Sequence, residues 1–233
     1  MKSIWNKIQR ELLHMRLQPI RVFCMHHVCE KYDADSMHKC DWMSLADFQN
    51  RISSLQHQGV HFISLAGAYR HIQCDIIRFR KYAVLTFDDG YASLKEILPW
   101  LKEQSIPCTL FINGKYLDGE SYRQNPNEKY LNSEDLLEIV ERYRSLVSVQ
   151  SHGWEHSDAT KMTEEDFRTS MLKNIEILTP YTKYSIPICF HAYTWGRYSV
   201  QSDKVLYSMN IKPVRVNGVR NYNDINCINR ELL

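Results

Sequence analysis

Residues 82–90 read Y-A-V-L-T-F-D-D-G and contain the clearest indication of how the chain folds. The run of residues 82–87 is short, apolar and rich in aromatic and β-branched side chains, which is typical of a buried strand. Two adjacent carboxylates, Asp88 and Asp89, follow it at a glycine turn, and like charges so close repel unless they share a cation. The stretch therefore predicts a buried strand that carries two aspartates into a metal site. The alternative is that one aspartate caps the next helix while the other is solvated.

Six further apolar segments resemble this run in length and composition: residues 20–28, 60–65, 108–112, 146–150, 187–193 and 212–216. Helical patterns lie between many of them, at residues 44–58, 91–104, 133–143, 163–178 and 200–209. Three of these helices begin with a capping residue, Ser44, Ser133 or Thr163, followed by acidic side chains in the first turn. Alternating strands and helices predict parallel strands joined by right-handed crossovers, hence an α/β domain. About seven strands favour a (β/α) barrel over an open wound sheet.

The length and composition predict one main domain. With 233 residues, 44% of them hydrophobic, the chain can bury one sizeable core. We expect residues 20–233 to form the barrel domain and residues 1–19 to form an amphipathic basic helix. Residues 1–21 contain five Lys or Arg side chains and one Glu, and apolar residues recur there at helical spacing. This helix is expected either to lie on a membrane or a partner, or to pack on its own domain.

Charge and hydropathy exclude several classes of function. A formal net charge of +2 leaves no electrostatic footprint for nucleic acid. No apolar run approaches the ~18 residues of a membrane span, and the N-terminus lacks the pattern of a secretory signal. Seven cysteines without a C-x-x-C pair predict reduced thiols rather than a disulfide framework. Together these features predict a cytoplasmic protein, with peripheral membrane contact through the N-terminal helix as an open alternative.

A second polar stretch, S-H-G-W-E-H-S at residues 151–157, follows the apolar run of residues 146–150. Its two histidines, His152 and His156, are four residues apart and can present ring nitrogens to one ion. With Asp89 they make a set of one carboxylate and two imidazoles, as in zinc sites that keep an open position for water. Zinc is the expected ion, and cobalt, nickel and iron are also compatible with these ligands. Taken alone, the pair could equally be surface or core histidines.

A third segment, F-H-A-Y-T-W-G-R-Y-S at residues 190–199, combines aromatic side chains with a glycine turn. Aromatic faces suit sugar rings, and backbone N–H groups at such a turn can hold a developing oxyanion. We therefore expect Trp154, Tyr193 and Trp195 to contact the substrate, beside the polar loop of residues 117–130. The alternative for this segment is ordinary packing followed by a turn.

The three motifs T-F-D-D-G, S-H-G-W-E-H-S and A-Y-T-W-G-R-Y-S, in this order, resemble the polysaccharide deacetylase family, or NodB-homology domain. The resemblance implies a distorted (β/α) barrel of about seven parallel strands that removes acetyl groups from an N-acetylated sugar. It also implies that Asp88 is the general base and that Asp89, His152 and His156 bind the metal. The amide of Tyr193 would then stabilise the oxyanion.

Two features depart from the family pattern. The third motif often reads A-Y-P-Y-G, whereas this chain has Thr194 and Trp195 at its third and fourth positions. No histidine follows His191 to serve as the general acid. The stretch F-C-M-H-H-V at residues 23–28 is similar to the M-Y-H-R-V motif of permuted poly-N-acetylglucosamine deacetylases, which implies His26 as the acid, with His27 as second choice.

These departures leave other functions open. The chain could hydrolyse another small amide or ester, because one fold hosts many substrates. It could also be a non-catalytic descendant that binds a sugar or a partner. Both histidines of residues 26–27 could simply lie at the end of a strand.

Overall fold

The computed structural model describes residues 19–35, 37, 39–74, 80–118, 129–217, 221 and 226–233. Within these ranges the chain forms ten strands: β1 (Arg21–Met25), β2 (His27–Cys29), β3 (Trp42–Ser44), β4 (Val60–Phe62), β5 (Lys81–Phe87), β6 (Cys108–Ile112), β7 (Val147–Ser151), β8 (Phe190–Ala192), β9 (Lys212–Val216) and β10 (Ile228–Leu232). The same ranges contain six α-helices: α1 (Leu45–His57), α2 (Leu65–Gln73), α3 (Leu94–Glu103), α4 (Ser133–Tyr143), α5 (Glu164–Leu178) and α6 (Val200–Ser208).

Seven parallel strands close a barrel. They follow one another in the order β1, β10, β9, β8, β7, β6, β5, and β5 pairs back to β1 through residues 83–87. Strand β4 pairs with the first residues of β5, and β2 with β3 forms a separate parallel pair. The predicted (β/α) barrel of about seven parallel strands is therefore confirmed.

The barrel interior is filled by side chains from strands all around the ring. One cluster contains Val22, Val84, Phe111, Val214 and Ile228, which belong to β1, β5, β6, β9 and β10. Helix α2 adds its apolar face to this cluster through Leu65, Ala68 and Ile72. A larger cluster lies between the strands and α1, α3 and α4. Side chains of a strand point alternately into the barrel and toward the helices. Because both sides are buried, the strands read as continuous apolar runs.

Several predicted elements differ from the observed ones. The predicted strand at residues 20–28 is interrupted at His26, and neither α2 nor β10 was expected. Helix α4 is capped by Asn132 and not by Ser133, because the Asn132 side chain accepts from the Asp135 amide and the Asp135 carboxylate accepts from the Asn132 amide. The caps predicted at Ser44 and Thr163 are confirmed.

Two predictions fall largely on residues that the structure does not describe. The amphipathic basic helix expected at residues 1–19 lies outside the described residues, apart from residue 19. Residues 119–128, most of the loop expected at residues 117–130, also lie outside the described residues. None of the helices in the described ranges combines the length and the apolar character of a membrane span.

A buried amide holds the ends of two strands together beneath the predicted motifs. The Asn174 side chain, on α5, accepts from the Gly114 amide at 2.7 Å and donates to the Ile112 carbonyl at 3.1 Å and to Ser151 Oγ at 2.9 Å. These contacts join the end of β6 to the end of β7. A Cβ atom at Gly114 would lie 2.6 Å from Asn174 Oδ1, so glycine is what allows this approach.

We expect Asn174→Leu to lower the free energy of unfolding by about 1–3 kcal/mol, because the buried Gly114 N–H loses its acceptor. Urea unfolding followed by circular dichroism measures the change. Glu176→Leu, at an exposed position of the same helix, is the control and should shift stability by less than ~0.5 kcal/mol. Equal midpoints for the two variants would contradict a structural role for the Asn174 amide.

Candidate active site

A cavity of about 370 Å³ lies at the carboxyl ends of the barrel strands. The cavity is lined by residues that come just after a strand: His26 after β1, Asp88 and Asp89 after β5, His152 after β7, and Tyr193 after β8. The three sequence motifs therefore meet in one place, at the end of the barrel where α/β folds place their sites.

One carboxylate and two imidazoles converge in this cavity. Asp89 Oδ1 lies 3.1 Å from His152 Nε2 and 3.2 Å from His156 Nε2, and the three candidate ligand atoms are all within 4.8 Å of one another. Two ligands of one tetrahedral zinc at 2.0–2.1 Å would be about 3.3 Å apart, so the spacing suits such an ion. Burial raises the pKa of Asp89, but the imidazoles of His152 and His156 outweigh it and hold that pKa well below the usual range.

The tautomer of His152 strengthens the case for a cation. Its Nδ1 lies 2.8 Å from the Ala192 carbonyl, which can only accept, so Nδ1 carries the proton. Nε2 is then the ring nitrogen left to bind a cation, 3.1 Å from Asp89 Oδ1. Asn113 also fixes this turn by donating to the carbonyls of His152 and Gly153.

Backbone strain concentrates at the same place. In the described part of the chain five residues other than glycine have a positive φ, and three of them line the cavity: Asp89 at 68°, His156 at 54° and Trp195 at 52°. Such conformations cost of order 1–3 kcal/mol and persist only where the surroundings enforce them. One strained residue belongs to each sequence motif.

The other aspartate of the pair is held by an arginine. Arg230 Nη1 and Nη2 donate to Asp88 Oδ1 and Oδ2 at 2.6 and 2.7 Å, and both side chains are buried. Arg230 Nη1 also donates to Thr86 Oγ1, which in turn donates to the Phe23 carbonyl. Burial raises the pKa of Asp88, but the Arg230 guanidinium, followed by His152, outweighs burial and lowers it. The Asp88 carboxylate is therefore ionised and fixed in orientation at neutral pH.

The two adjacent histidines after β1 have different surroundings. His26 lines the cavity, with Nε2 4.0 Å from Asp89 Oδ2 and Nδ1 4.0 Å from Asp41 Oδ1. His27 is buried against Tyr91, with ring centroids 3.7 Å apart, and its Nδ1 contacts Ser93 Oγ. Of the two candidates for the general acid, His26 is thus the one whose ring reaches the cavity.

The structure corrects two assignments in the predicted substrate surface. The Tyr193 amide donates to the Val214 carbonyl at 3.1 Å, because pairing between β8 and β9 continues one residue past β8, so it is not free to hold an oxyanion. Trp195 also lines the cavity, and its backbone N–H makes no hydrogen bond within the described ranges. Trp154 is not among the residues that line the cavity, because its ring packs beside Gly114.

His191 is buried behind the site. Burial lowers its pKa to about 3, so the ring is neutral, and its Nδ1 lies 3.2 Å from Ser151 Oγ. It packs beneath the motif that carries His152 and does not line the cavity.

Sequence reasoning missed several residues of the site. Arg230 carried no local signal, because it lies in a polar strand 142 residues from Asp88. The wall formed by Tyr91, Tyr116 and Tyr130 was also missed, although Tyr130 ends the loop that was expected beside the site. Only the fold brings these residues together.

We expect Arg230→Met to lower the free energy of unfolding by about 3–5 kcal/mol, because it leaves the Asp88 carboxylate buried without its cationic partner. The double variant Arg230→Met/Asp88→Asn should recover part of this loss, since no buried charge then remains. Equilibrium urea unfolding of the two variants and the wild type measures the difference. A double variant no more stable than Arg230→Met alone would contradict a charge-pairing role.

Comparisons with known proteins agree with this architecture. The chain is similar to IcaB from Ammonifex degensii, with a TM-score of 0.77 and 20% identity over 93% of this chain and 92% of that one. It is also similar to the Streptococcus pyogenes deacetylase PplD in complex with acetate, with a TM-score of 0.78 and 18% identity over 93% of both chains. A de-N-acetylase from Aggregatibacter actinomycetemcomitans aligns with a TM-score of 0.76 and 14% identity over 92% of this chain and 94% of that one.

At these identities the three structures show a shared fold. No curated protein matches the chain. The model of the polysaccharide deacetylase family matches residues 78–214, more than half of the 233 residues and both the T-F-D-D-G and S-H-G-W-E-H-S motifs. The resemblance inferred from the motifs is thus confirmed, and the chain belongs to the polysaccharide deacetylase family.

Proposed function

We propose that this chain is a metal-dependent carbohydrate deacetylase that hydrolyses the acetamide group of an N-acetylated sugar. Family membership supports a carbohydrate deacetylase. Metal-dependent hydrolysis is supported by two groups that lie in one cavity. One is the candidate ligand cluster of Asp89, His152 and His156, and the other is the Asp88 carboxylate held by Arg230.

Asp89, His152 and His156 would hold the ion. Zinc is the expected metal, and cobalt, nickel and iron suit the same ligands. A divalent cation held there would supply Lewis acidity, which polarises the amide carbonyl of the substrate and acidifies a water molecule.

Asp88 is assigned the role of general base. A base must be ionised before the reaction, and Arg230 keeps the Asp88 carboxylate in that state. Each carboxylate oxygen has two lone pairs. Asp88 Oδ2 accepts from both Arg230 Nη2 and Cys24 Sγ, whereas Oδ1 accepts from Arg230 Nη1 and keeps a lone pair for the proton of the attacking water. Arg230 therefore acts as a positioning residue that limits the direction from which Asp88 accepts this proton.

His26 is assigned the role of general acid that protonates the departing amine. Its ring reaches the cavity between Asp41 and Asp89. Among the described lining residues the other histidines are His152 and His156. The metal-ligand assignment uses those two histidines, so His26 is left for proton donation. The backbone N–H of Trp195, rather than that of Tyr193, is assigned to the oxyanion.

The walls of the cavity support a sugar as substrate. Tyr91, Tyr116 and Tyr130 stack in series along one wall, with centroid distances of 5.1 Å between Tyr91 and Tyr130 and 4.7 Å between Tyr116 and Tyr130. The faces of Tyr91 and Tyr130 are covered by this stacking and by His27, so the three tyrosines form a rigid wall. The Trp195 ring packs in a T shape on His156, with centroids 4.6 Å apart, lines the same cavity and is 49% exposed. An open indole face complements the apolar face of a pyranose ring and favours a saccharide over other small amides.

We expect Asp88→Asn to reduce acetate release from N-acetylated saccharides at least about 100-fold while metal content is retained, because the variant loses the base and keeps the ligands. Acetate assays and elemental analysis on the same preparation measure both. Asp166→Asn, at an exposed position in the first turn of α5, is the matched control and should remain active. Unchanged turnover in Asp88→Asn would remove Asp88 from the mechanism.

A further inference from the structure

A second depression adjoins the catalytic cavity and is not used by the proposed mechanism. It has a volume of about 640 Å³ and is lined by Ser157, Asp158, Lys161, Met162, Trp195 and Arg197. We call it the flanking groove. Trp195 lines both the groove and the catalytic cavity, so the two spaces adjoin at a single indole ring.

Trp195 is suited to contact a ligand that passes from one space to the other. Its side chain is 49% exposed, which is unusual for a large aromatic residue in a folded domain. The indole packs on the His156 ring in a T-shaped contact, and the Arg197 guanidinium lies 5.7 Å from the indole centroid. An exposed indole beside hydrogen-bonding groups is a stacking surface for a second sugar ring.

The charged groups of the groove are not equally available. Asp158 Oδ1 accepts from the amide and the hydroxyl of Thr160, and Asp158 Oδ2 accepts from Arg197 Nη1 at 2.8 Å. The Thr160 hydroxyl, followed by Arg197, lowers the pKa of Asp158 to about 2. The Asp158 carboxylate is thus occupied inside the protein and serves to anchor Arg197.

The donors of the groove remain available. The contact with Asp158 uses one of the five N–H groups of Arg197, and that side chain is more than half exposed. Lys161 is exposed and makes no ion pair within the described residues. The groove therefore presents cationic donors, whereas the carboxylates of the adjoining catalytic cavity are Asp41, Asp88 and Asp89.

We propose that the flanking groove binds the sugar unit next to the N-acetylated one, and that this unit carries an anionic group, a carboxylate or a phosphate. The N-acetyl group would lie in the catalytic cavity, the neighbouring ring would stack on Trp195, and the anionic group would bind Arg197 and Lys161. This inference rests on the proposed function, because it specifies the substrate of the same site.

The test compares acetate release from three substrates: neutral N,N′-diacetylchitobiose, a hyaluronan tetrasaccharide with carboxylates, and N,N′-diacetylchitobiose 1-phosphate, whose phosphate is on the ring next to the non-reducing N-acetylated unit. We expect the wild type to have a KM about tenfold lower for at least one anionic substrate than for chitobiose, with a smaller difference in kcat. The preferred anionic substrate identifies the carboxylate or the phosphate as the group bound. Added sodium chloride should reduce the preference, because the donors are exposed.

Two variants assign the preference to the groove. Lys161→Glu and Arg197→Gln should each raise KM for the anionic substrate several-fold more than KM for chitobiose. Lys173→Glu, an exposed charge reversal on α5, should leave this ratio unchanged. Equal KM values for neutral and anionic substrates, or a preference that survives Lys161→Glu and Arg197→Gln, would overturn the inference while leaving the deacetylase proposal intact. Acetate release from none of the three would overturn both.

Discussion

The structure depends on how two adjacent buried carboxylates are neutralised. Each unpaired buried charge would cost several kcal/mol, so Asp88 and Asp89 require separate positive partners. Asp88 obtains the guanidinium of Arg230, whereas Asp89 lies beside the imidazoles of His152 and His156, with which it would bind a cation. The turn separates the two side chains because Asp89 and Gly90 both adopt positive φ values, of 68° and 80°. In the proposed mechanism Asp88 accepts a proton and Asp89 binds the cation.

The need of Asp88 for a positive partner also links the site to closure of the barrel. Arg230 lies in β10, which pairs with β9 on one side and β1 on the other, so the strand that completes the ring also carries the partner of Asp88. Its side chain is fully buried, and its guanidinium lies 5.2 Å from the Phe111 ring. The polar sequence I-N-R-E-L is tolerated in a buried strand because its arginine forms an ion pair with the Asp88 carboxylate. Pairing of β10 with its neighbours therefore also brings Arg230 to Asp88.

Local signals predicted the cluster of candidate metal ligands, whereas partners distant in sequence were missed. Asp88 and Asp89 are adjacent and His152 and His156 are four residues apart, so each pair could be recognised within one strand-end motif. Arg230 could not be found, since its pairing with Asp88 exists only after the ring closes. The oxyanion assignment to Tyr193 failed for a related reason: whether an amide is free depends on how far pairing between β8 and β9 extends. The barrel itself was predictable from the alternation of apolar strands and amphipathic helices, whereas β10 was too polar to be recognised.

The most direct test of the central claim is the metal content of untagged protein, purified without added metal or chelator, beside the double variant His152→Ala/His156→Ala. The account predicts about one divalent ion per chain in the wild type, with nitrogen and oxygen ligands at about 2.0–2.2 Å by X-ray absorption, and loss of the ion in the variant. A wild-type chain that stays empty after incubation with zinc, cobalt or nickel would contradict it.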